Sequence, residues 1–164
     1  DRHINGLPAV GMVIMAGLWS SGKTTNAITM MDCYLREYPE REVLFVTLED
    51  MNEGWKDRAR VMLEERAESF WERIHVMEFA QNSNDIIEEA MRWEKVGLII
   101  VDYVDYMSKA DNTAFDEMYQ TLSMGAKEVA VNREFRNCTV VALAQINKGN
   151  YNGCLLYTSP SPRD

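Results

Sequence analysis

The sequence contains few of the features that mark membrane, disulfide-rich or zinc-binding proteins. In its 164 residues no apolar run approaches the ~20 residues of a membrane-spanning helix, and no signal peptide is visible. Its three cysteines include no C-x-x-C pair, which argues against a zinc site, and their odd number argues against a disulfide framework. The two histidines, His3 and His75, are isolated. These absences predict a cytoplasmic protein with reduced thiols and no membrane partner.

The sequence also lacks an excess of basic residues. It has 17 Lys and Arg against 26 Asp and Glu, a net charge of −9, which argues against a broad basic surface for nucleic acid. This balance leaves open a ring-shaped motor that holds DNA with a few loop residues at its centre. The apolar and charged fractions, 46% and 26%, are those of an ordinary globular protein, and the length suits one domain.

The clearest motif that is present is G-x-x-x-x-G-K-T at residues 17–24, the phosphate-binding P-loop. Two glycines let the backbone form a loop whose N–H groups point at a polyphosphate, and the following helix adds its positive N-terminal end. Lys23 can reach the β- and γ-phosphates, and the Thr24 hydroxyl can bind Mg²⁺. An accidental match is the alternative, which the apolar run before the motif and the helix-like run after it disfavour.

The motif predicts a set of nucleotide-binding residues that are consecutive in the chain. These are Gly17, Leu18, Trp19, Ser20, Ser21, Gly22, Lys23, Thr24 and Thr25. For Trp19 two interpretations stay open, since its ring can cover the phosphates or pack against a neighbouring helix.

Strand and helix patterns alternate along the chain, which predicts an α/β fold with a parallel β-sheet and helices on both faces. The predicted strands are 12–16, 43–48, 73–79, 97–102 and 139–145. The predicted helices are 26–37, 52–70 with Asn52 as N-cap, 85–93 after a cap at 82–84, and 115–136.

Polar residues end three of the predicted strands: Glu49, Asp102 and Gln145. In parallel sheets ligands collect beyond the carboxyl ends of the strands, so these residues and the P-loop are expected at one edge. Asp102 follows four apolar residues, the form of a Walker B acid, and can hold Mg²⁺ beside Thr24. The alternative is that Asp102 is only a turn or cap former at the end of its strand. Asp105 is a weaker second candidate for the Mg²⁺ ligand.

Glu49 and Gln145 each have two interpretations from chemistry alone. Glu49 can accept a proton from the water that attacks the γ-phosphate, or it can be a charge that favours the following helix, as Asp50 can too. Gln145 can hydrogen-bond the γ-phosphate or the attacking water, or it can be a polar strand end that faces solvent.

Residues 154–164 differ in character from the rest of the chain. They have no hydrophobic period, and their Ser-Pro-Ser-Pro portion continues neither sheet nor helix. They look like the translation of a transposon-type sequencing adapter at every position, with a natural disordered tail as the alternative. We therefore expect one domain, residues 1–153, that is truncated at both ends, because the chain also lacks an initiator Met.

The order of these motifs resembles the RecA-like ATPase core of the DnaB-like replicative helicases, particularly the phage forms. The resemblance covers nearly all of residues 6–150. Its segments are the P-loop (11–25), the acidic strand end (46–51), the Walker B strand (98–107), and Val-Val-Ala-Leu-Ala-Gln-Ile-Asn-Lys (140–148). The P-loop is specific only to the superfamily, whereas the combination of Glu49, Asp102 and Gln145 is more selective.

The resemblance implies a RecA-like P-loop NTPase that uses ATP and Mg²⁺ to move a homohexameric ring along single-stranded DNA. Primase or a helicase loader would be a further partner. It also implies that Lys23, Glu49 and Gln145 are catalytic, with Glu49 as the base and Gln145 as the γ-phosphate sensor. Nucleotide would lie between subunits, with an arginine finger from the neighbour.

The sequence departs from the family after the sensor strand. Lys148 stands near the place of a family arginine, and the DNA-contacting loop and the finger are expected beyond Gly153. The chain alone is therefore expected to bind nucleotide weakly and to turn it over slowly.

Three other functions compete with the helicase. A RecA-type recombinase or a clock-type ATPase would share the fold, the P-loop, and the Glu and Gln positions. A nucleotide-binding regulator or assembly subunit that has lost hydrolysis belongs to a different class. A small-molecule kinase is disfavoured because no lid or acceptor pocket is evident.

Overall fold

The structure, a computed structural model, describes residues 3–4, 7–18, 20–48, 54–64, 67–104 and 115–146. A two-stranded antiparallel hairpin comes first, formed by β1 (His3–Ile4) and β2 (Leu7–Pro8). Five further strands form one parallel sheet: β3 (Val10–Gly17), β4 (Glu42–Thr47), β5 (Ile74–Met77), β6 (Val96–Asp102) and β7 (Cys138–Gln145). Their order across the sheet is β3-β7-β6-β4-β5.

Helices cover both faces of this sheet, as predicted. They are α1 (Lys23–Glu37), α2 (Gly54–Leu63), α3 (Ala67–Trp71), α4 (Ser83–Arg92) and α5 (Phe115–Val131). One core cluster joins the sheet to α1, α2 and α3, and the other joins it to α4 and α5. In the described part of the chain, no helix is both long enough and apolar enough to cross a membrane.

The most apolar strand predicted from the sequence is the most buried one in the sheet. All seven residues of β6 are buried, and the strand pairs with β4 on one side and β7 on the other. Side chains of a strand point alternately to the two faces of the sheet, and helices cover both faces here. Apolar side chains are therefore favoured at every position of the strand, which explains its continuous apolar run. The apolar run ends at Asp102, so the first polar side chain of this strand lies at its carboxyl end.

The predicted cap at residues 82–84 is confirmed, with the helix beginning slightly earlier than expected. Asn82 is the N-cap of α4, and its side-chain oxygen accepts hydrogen bonds from the backbone N–H groups of Asn84 (2.9 Å) and Asp85 (3.2 Å). The Asp85 carboxylate accepts in return from the Asn82 N–H at 3.2 Å. This reciprocal capping box satisfies N–H groups that have no partner within the helix.

The single helix predicted for residues 52–70 is wrong. The region forms the two helices α2 and α3, and Glu64 between them has φ +48°, a left-handed conformation that a right-handed helix cannot continue. The break lets Trp71 of α3 return to Trp55 of α2, with ring centroids 5.3 Å apart. Asn52, the predicted cap, lies outside the described residues.

The last helix is shorter than predicted, and so is the third strand. α5 ends at Val131 instead of near residue 136, and Arg136 has φ +49°. Arg133 is buried in this turn and donates a hydrogen bond to the carbonyl of Ala90, near the end of α4. The third strand covers residues 74–77 of the predicted 73–79.

Two of the three cysteines lie in the described part of the chain. Cys33 and Cys138 are free, and Cys154 lies outside the described residues. Cys138 is fully buried at the start of β7, and desolvation raises the pKa of its thiol to about 12. It is therefore a neutral side chain of the core.

The contact between α4 and α5 depends on a glycine. A Cβ built on Gly125 of α5 would overlap the side chain of Ile87, which is buried in α4. We expect Gly125→Ala to lower the free energy of unfolding by about 1–3 kcal/mol through overpacking, despite alanine's better helix propensity. Urea denaturation measures this change, with Gln120→Ala on the exposed side of α5 as control.

A second variant separates overpacking from any other effect of Gly125→Ala. Combining it with Ile87→Ala removes the overlapping atoms, so the double variant should be less destabilised than the sum of the two single changes. Additive effects would show that the clash is not the cause.

Candidate functional site

The P-loop connects the end of β3 to the start of α1 and has the backbone that its sequence requires. Gly22 precedes the helix with φ +82°, and Ser20 has φ +59°, so the chain turns through two left-handed positions. The Ser21 N–H donates to the Leu18 carbonyl at 3.2 Å, which closes the loop. The free N–H groups of the first helical turn thus face the loop's mouth, which suits an anion.

Gly17 is closely approached at the start of the loop. A Cβ at this position would lie 2.6 Å from the Ser21 Oγ, so a larger residue would require the Ser21 side chain to move.

Lys23 places a positive charge on the loop. Its Nζ donates to the carbonyls of Gly17 (3.1 Å) and Leu18 (2.9 Å). The first turn of α1 contains no acidic residue, so the positive end of the helix dipole adds to this charge. The two together favour a polyanion at the loop.

Thr24 and Asp102 meet across the site although they are 78 residues apart in sequence. The Thr24 Oγ1 donates to the Asp102 Oδ2 at 2.7 Å, and Asp102 is only 5% exposed. The peptide bond between Asp102 and Tyr103 is cis. A buried carboxylate and a hydroxyl in contact are two hard oxygen donors of the kind that Mg²⁺ binds.

The donor set at this edge suits a metal that arrives with a nucleotide. In the described part of the chain, no group of three or more His, Cys, Asp or Glu side chains could hold a metal. Mg²⁺ at nucleotide sites usually takes one or two protein carboxylates, with phosphate oxygens and waters as the other ligands. Asp102 and Thr24 fit that type of site.

The sheet order brings Gln145 to the same edge. β7 lies between β3 and β6, Gly17 and Gln145 are paired in register, and the Ile146 N–H donates to the Gly17 carbonyl at 3.0 Å. The strand that ends in Gln145 therefore lies directly between the P-loop strand and the Asp102 strand. This backbone hydrogen bond connects the residue after Gln145 directly to the first residue of the P-loop.

The structure brings together the P-loop residues 17–18 and 20–25, Asp102 and Gln145. Glu49 and Trp19 lie outside the described residues, as do Asp105 and Lys148. The functional roles of both groups of residues, those that the structure describes and those that it does not, stay predictions.

Thr47 is a further polar residue at this edge, and none of the sequence motifs singles it out. It is the last residue of β4, it is 3% exposed, and it is paired in register with Asp102. The feature of the sequence that indicates Thr47 is a hydroxyl side chain within the otherwise apolar run 43–48.

Comparison with known proteins identifies the fold and the family. No curated protein matches the chain. Its structure is similar to the crystal structure of the RadB recombinase, with a TM-score of 0.60 and 17% sequence identity over 91% of this chain and 68% of that chain. This likeness shows a RecA-like α/β fold. Residues 2–151 match a family model described as an AAA domain, so the chain belongs to the AAA domain family, with a RecA-like ATPase core.

Proposed function

We propose that this protein hydrolyses ATP with Mg²⁺ and that the hydrolysis drives movement along single-stranded DNA in a ring-shaped helicase. The observation that carries the hydrolysis is the 2.7 Å contact between Thr24 and Asp102. It joins the phosphate loop to a buried carboxylate, so the phosphates and the metal ion would bind next to each other. A loop that only binds an anion needs no such carboxylate.

The residues of the site divide the chemistry among them. The loop N–H groups and Lys23 would hold the phosphates, and Thr24 and Asp102 would hold the Mg²⁺, which supplies charge neutralisation at the β- and γ-phosphates. Glu49 would accept the proton of the attacking water. Gln145 would hydrogen-bond the γ-phosphate or that water, and its strand pairing with Gly17 couples its position to the loop.

The helicase assignment is supported by the order of motifs shared with the DnaB-like family. In that proposal six copies form a ring, nucleotide lies between neighbouring subunits, and primase or a loader docks on the assembly. Because the chain carries a net charge of −9, DNA would contact only a few loop residues near the ring's centre.

A recombinase-type ATPase is the second candidate. The structural likeness to the RadB recombinase favours it, since that relative covers 91% of this chain. Both candidates predict ATP turnover that responds to single-stranded DNA. They differ in the product, because a helicase separates a forked duplex and a recombinase exchanges strands between two DNA molecules.

Single-stranded DNA should stimulate ATP hydrolysis by the protein extended with its native sequence after Gly153, because the DNA-contacting loop and the arginine finger are expected there. Turnover per chain should also rise with protein concentration, because the finger of a neighbouring subunit completes each site. The measurement is phosphate release across a series of protein concentrations, with single-stranded DNA, a blunt duplex of equal length, or no DNA.

Two results would contradict parts of this proposal separately. Hydrolysis that is brisk and independent of protein concentration would argue against a site shared between subunits. Hydrolysis by the extended protein that does not respond to DNA at any concentration would argue against DNA translocation and leave a RecA-like ATPase with another task. A forked-duplex unwinding assay beside a strand-exchange assay then decides between the two DNA-dependent candidates.

A further inference from the structure

Thr47 is a buried hydroxyl at the edge of the sheet where the nucleotide site lies. It ends β4, whose other core residues, Val43 to Val46, are all apolar and fully buried. The residue itself is 3% exposed. Valine would suit the packing of such a strand as well and would bury no polar atom.

The register of the sheet directs Thr47 to the side of the P-loop. Thr47 is paired with Asp102 in a parallel ladder, and side chains of paired residues point to the same face. Val43, Phe45, Leu98 and Ile100 belong to the core cluster under α1, so the alternate positions 47 and 102 lie on that face too. Neighbouring strands are about 4.8 Å apart, so the Thr47 side chain lies beside the Asp102 carboxylate.

Thr47 also stands next to the segment that carries the predicted base. The Leu48 N–H donates to the Asp102 carbonyl at 2.8 Å, which fixes the backbone of β4 to that of β6 beyond the last strand pair. Glu49 is the following residue in the sequence. Thr47 is therefore two residues before Glu49 in sequence, and the backbone between them is hydrogen-bonded to Asp102 at Leu48.

In the described part of the chain, the Thr47 hydroxyl makes no hydrogen bond, and it is not one of the fully buried side-chain atoms without a partner, so it reaches solvent at the end of the strand. A hydroxyl in that position can hydrogen-bond a water molecule. Mg²⁺ bound beside a carboxylate keeps several of its waters, and those waters need hydrogen-bond acceptors and donors around them. Thr47 offers both at the place where such a water would lie.

We propose that Thr47 is a further positioning residue of this site, whose hydroxyl holds a water of the Mg²⁺ shell beside Asp102. The inference rests on the proposed function, since it needs Mg²⁺ and nucleotide at the P-loop. Thr47 acts through the metal's water and touches neither the phosphates nor the protein ligands. Its hydroxyl stabilises the metal-bound state of the nucleotide and leaves metal-free nucleotide unaffected.

The test compares Thr47→Val, which keeps the shape and loses the hydroxyl, with Thr47→Ser, which keeps the hydroxyl. A fluorescent, non-hydrolysable ATP analogue is titrated into the chain in EDTA, and Mg²⁺ is then titrated into the mixture. Thr47→Val should raise the Mg²⁺ concentration for half-saturation by about three- to tenfold, the effect of losing one hydrogen bond. Thr47→Ser should restore the native value, and affinity in EDTA should be the same for all three proteins.

Thr139→Val is the matched control. Thr139 is a fully buried threonine near the start of β7, at the opposite end of the sheet, where its hydroxyl donates to the Pro8 carbonyl. This change should lower the melting temperature and leave the Mg²⁺ half-saturation unchanged. Thr47→Val should keep or raise the melting temperature, because it removes a hydroxyl that lacks a protein partner.

Two outcomes would overturn the inference. An unchanged Mg²⁺ half-saturation in Thr47→Val would show that the hydroxyl holds no water of the metal. Equal losses of affinity with Mg²⁺ and in EDTA would show a structural role in shaping the loop. Native chain that binds the analogue no better than Lys23→Ala would instead refute the nucleotide site, and with it both proposals.

Discussion

Replacing Lys23 with alanine should weaken binding of MgATP by about 10- to 100-fold, the value of losing charged hydrogen bonds to phosphate. The structure gives the physical reason. The Lys23 ammonium lies on the loop itself, donating to the Gly17 and Leu18 carbonyls, and no acidic residue in the first turn of α1 offsets its charge. Fluorescence anisotropy of a labelled ATP analogue measures the dissociation constant.

The same contacts make a second variant necessary. Alanine at position 23 also removes two hydrogen bonds that hold the loop carbonyls, so a disordered loop could weaken binding without any role for the charge. Lys23→Gln removes the charge and keeps side-chain N–H groups that can donate to the loop carbonyls, and Lys127→Ala removes an exposed lysine of α5 as a control. Weak binding in both position 23 variants, with circular dichroism unchanged, assigns the loss to the charge.

Native affinity in both position 23 variants would contradict a phosphate site at the loop. The change tests the site alone, because a helicase, a recombinase and a regulator would all lose nucleotide. The substitution therefore separates loss of nucleotide binding from loss of ATP hydrolysis.

Most of the fold could be predicted because local sequence patterns indicate its helices and strands. β6 appears as the most apolar run of the chain because both of its faces are covered, and α4 appears from Asn82 and the periodic residues after it. The positions of these elements depend on short-range hydrophobic period and on capping chemistry. Both are visible in a single sequence.

The break between α2 and α3 could not be predicted in the same way. The sequence predicts one amphipathic helix over residues 52–70, and Glu64 is a good helix former. Its left-handed conformation goes with the approach of Trp71 to Trp55, a contact between residues 16 positions apart in sequence. Tertiary packing of large aromatic rings overrides local propensity here.

The candidate site was predictable only in part, for a related reason. Polar strand ends gave Asp102 and Gln145, because carboxyl ends of parallel strands meet at one edge. The strand order that inserts β7 between β3 and β6, and so pairs Gln145 with Gly17, is not encoded in any local pattern. Thr47 was missed because a β-branched residue in a strand is ordinary, and only its register with Asp102 makes it a candidate.

Replacing Glu49 with glutamine should leave MgATP binding close to native and lower ATP turnover by about 10²- to 10⁴-fold, the range for loss of a general base. Glutamine has the same size and still hydrogen-bonds water, but it cannot take the proton. Turnover is measured by phosphate release at saturating ATP, and binding by the same anisotropy titration used for Lys23. Glu49 lies outside the described residues, and its backbone neighbour Leu48 is fixed to Asp102 by a 2.8 Å hydrogen bond.

Asp50→Asn is the matched control, since it removes the adjacent carboxylate. If Glu49 only favoured the helix that follows, either carboxylate would serve, and the two variants would lose stability alike and keep turnover. A large loss in Glu49→Gln beside near-native turnover in Asp50→Asn therefore assigns the base.

The same pair of variants decides whether the protein is an enzyme or a regulator that binds nucleotide without hydrolysing it. A regulator would show no turnover at any protein concentration even in the protein extended with its native sequence after Gly153, so Glu49→Gln would have nothing to remove. Native turnover that survives Glu49→Gln would keep the ATPase and reject Glu49, moving the search for the base to other polar groups at this edge. Loss of turnover with binding intact is the result that only a hydrolase with its base at residue 49 can give.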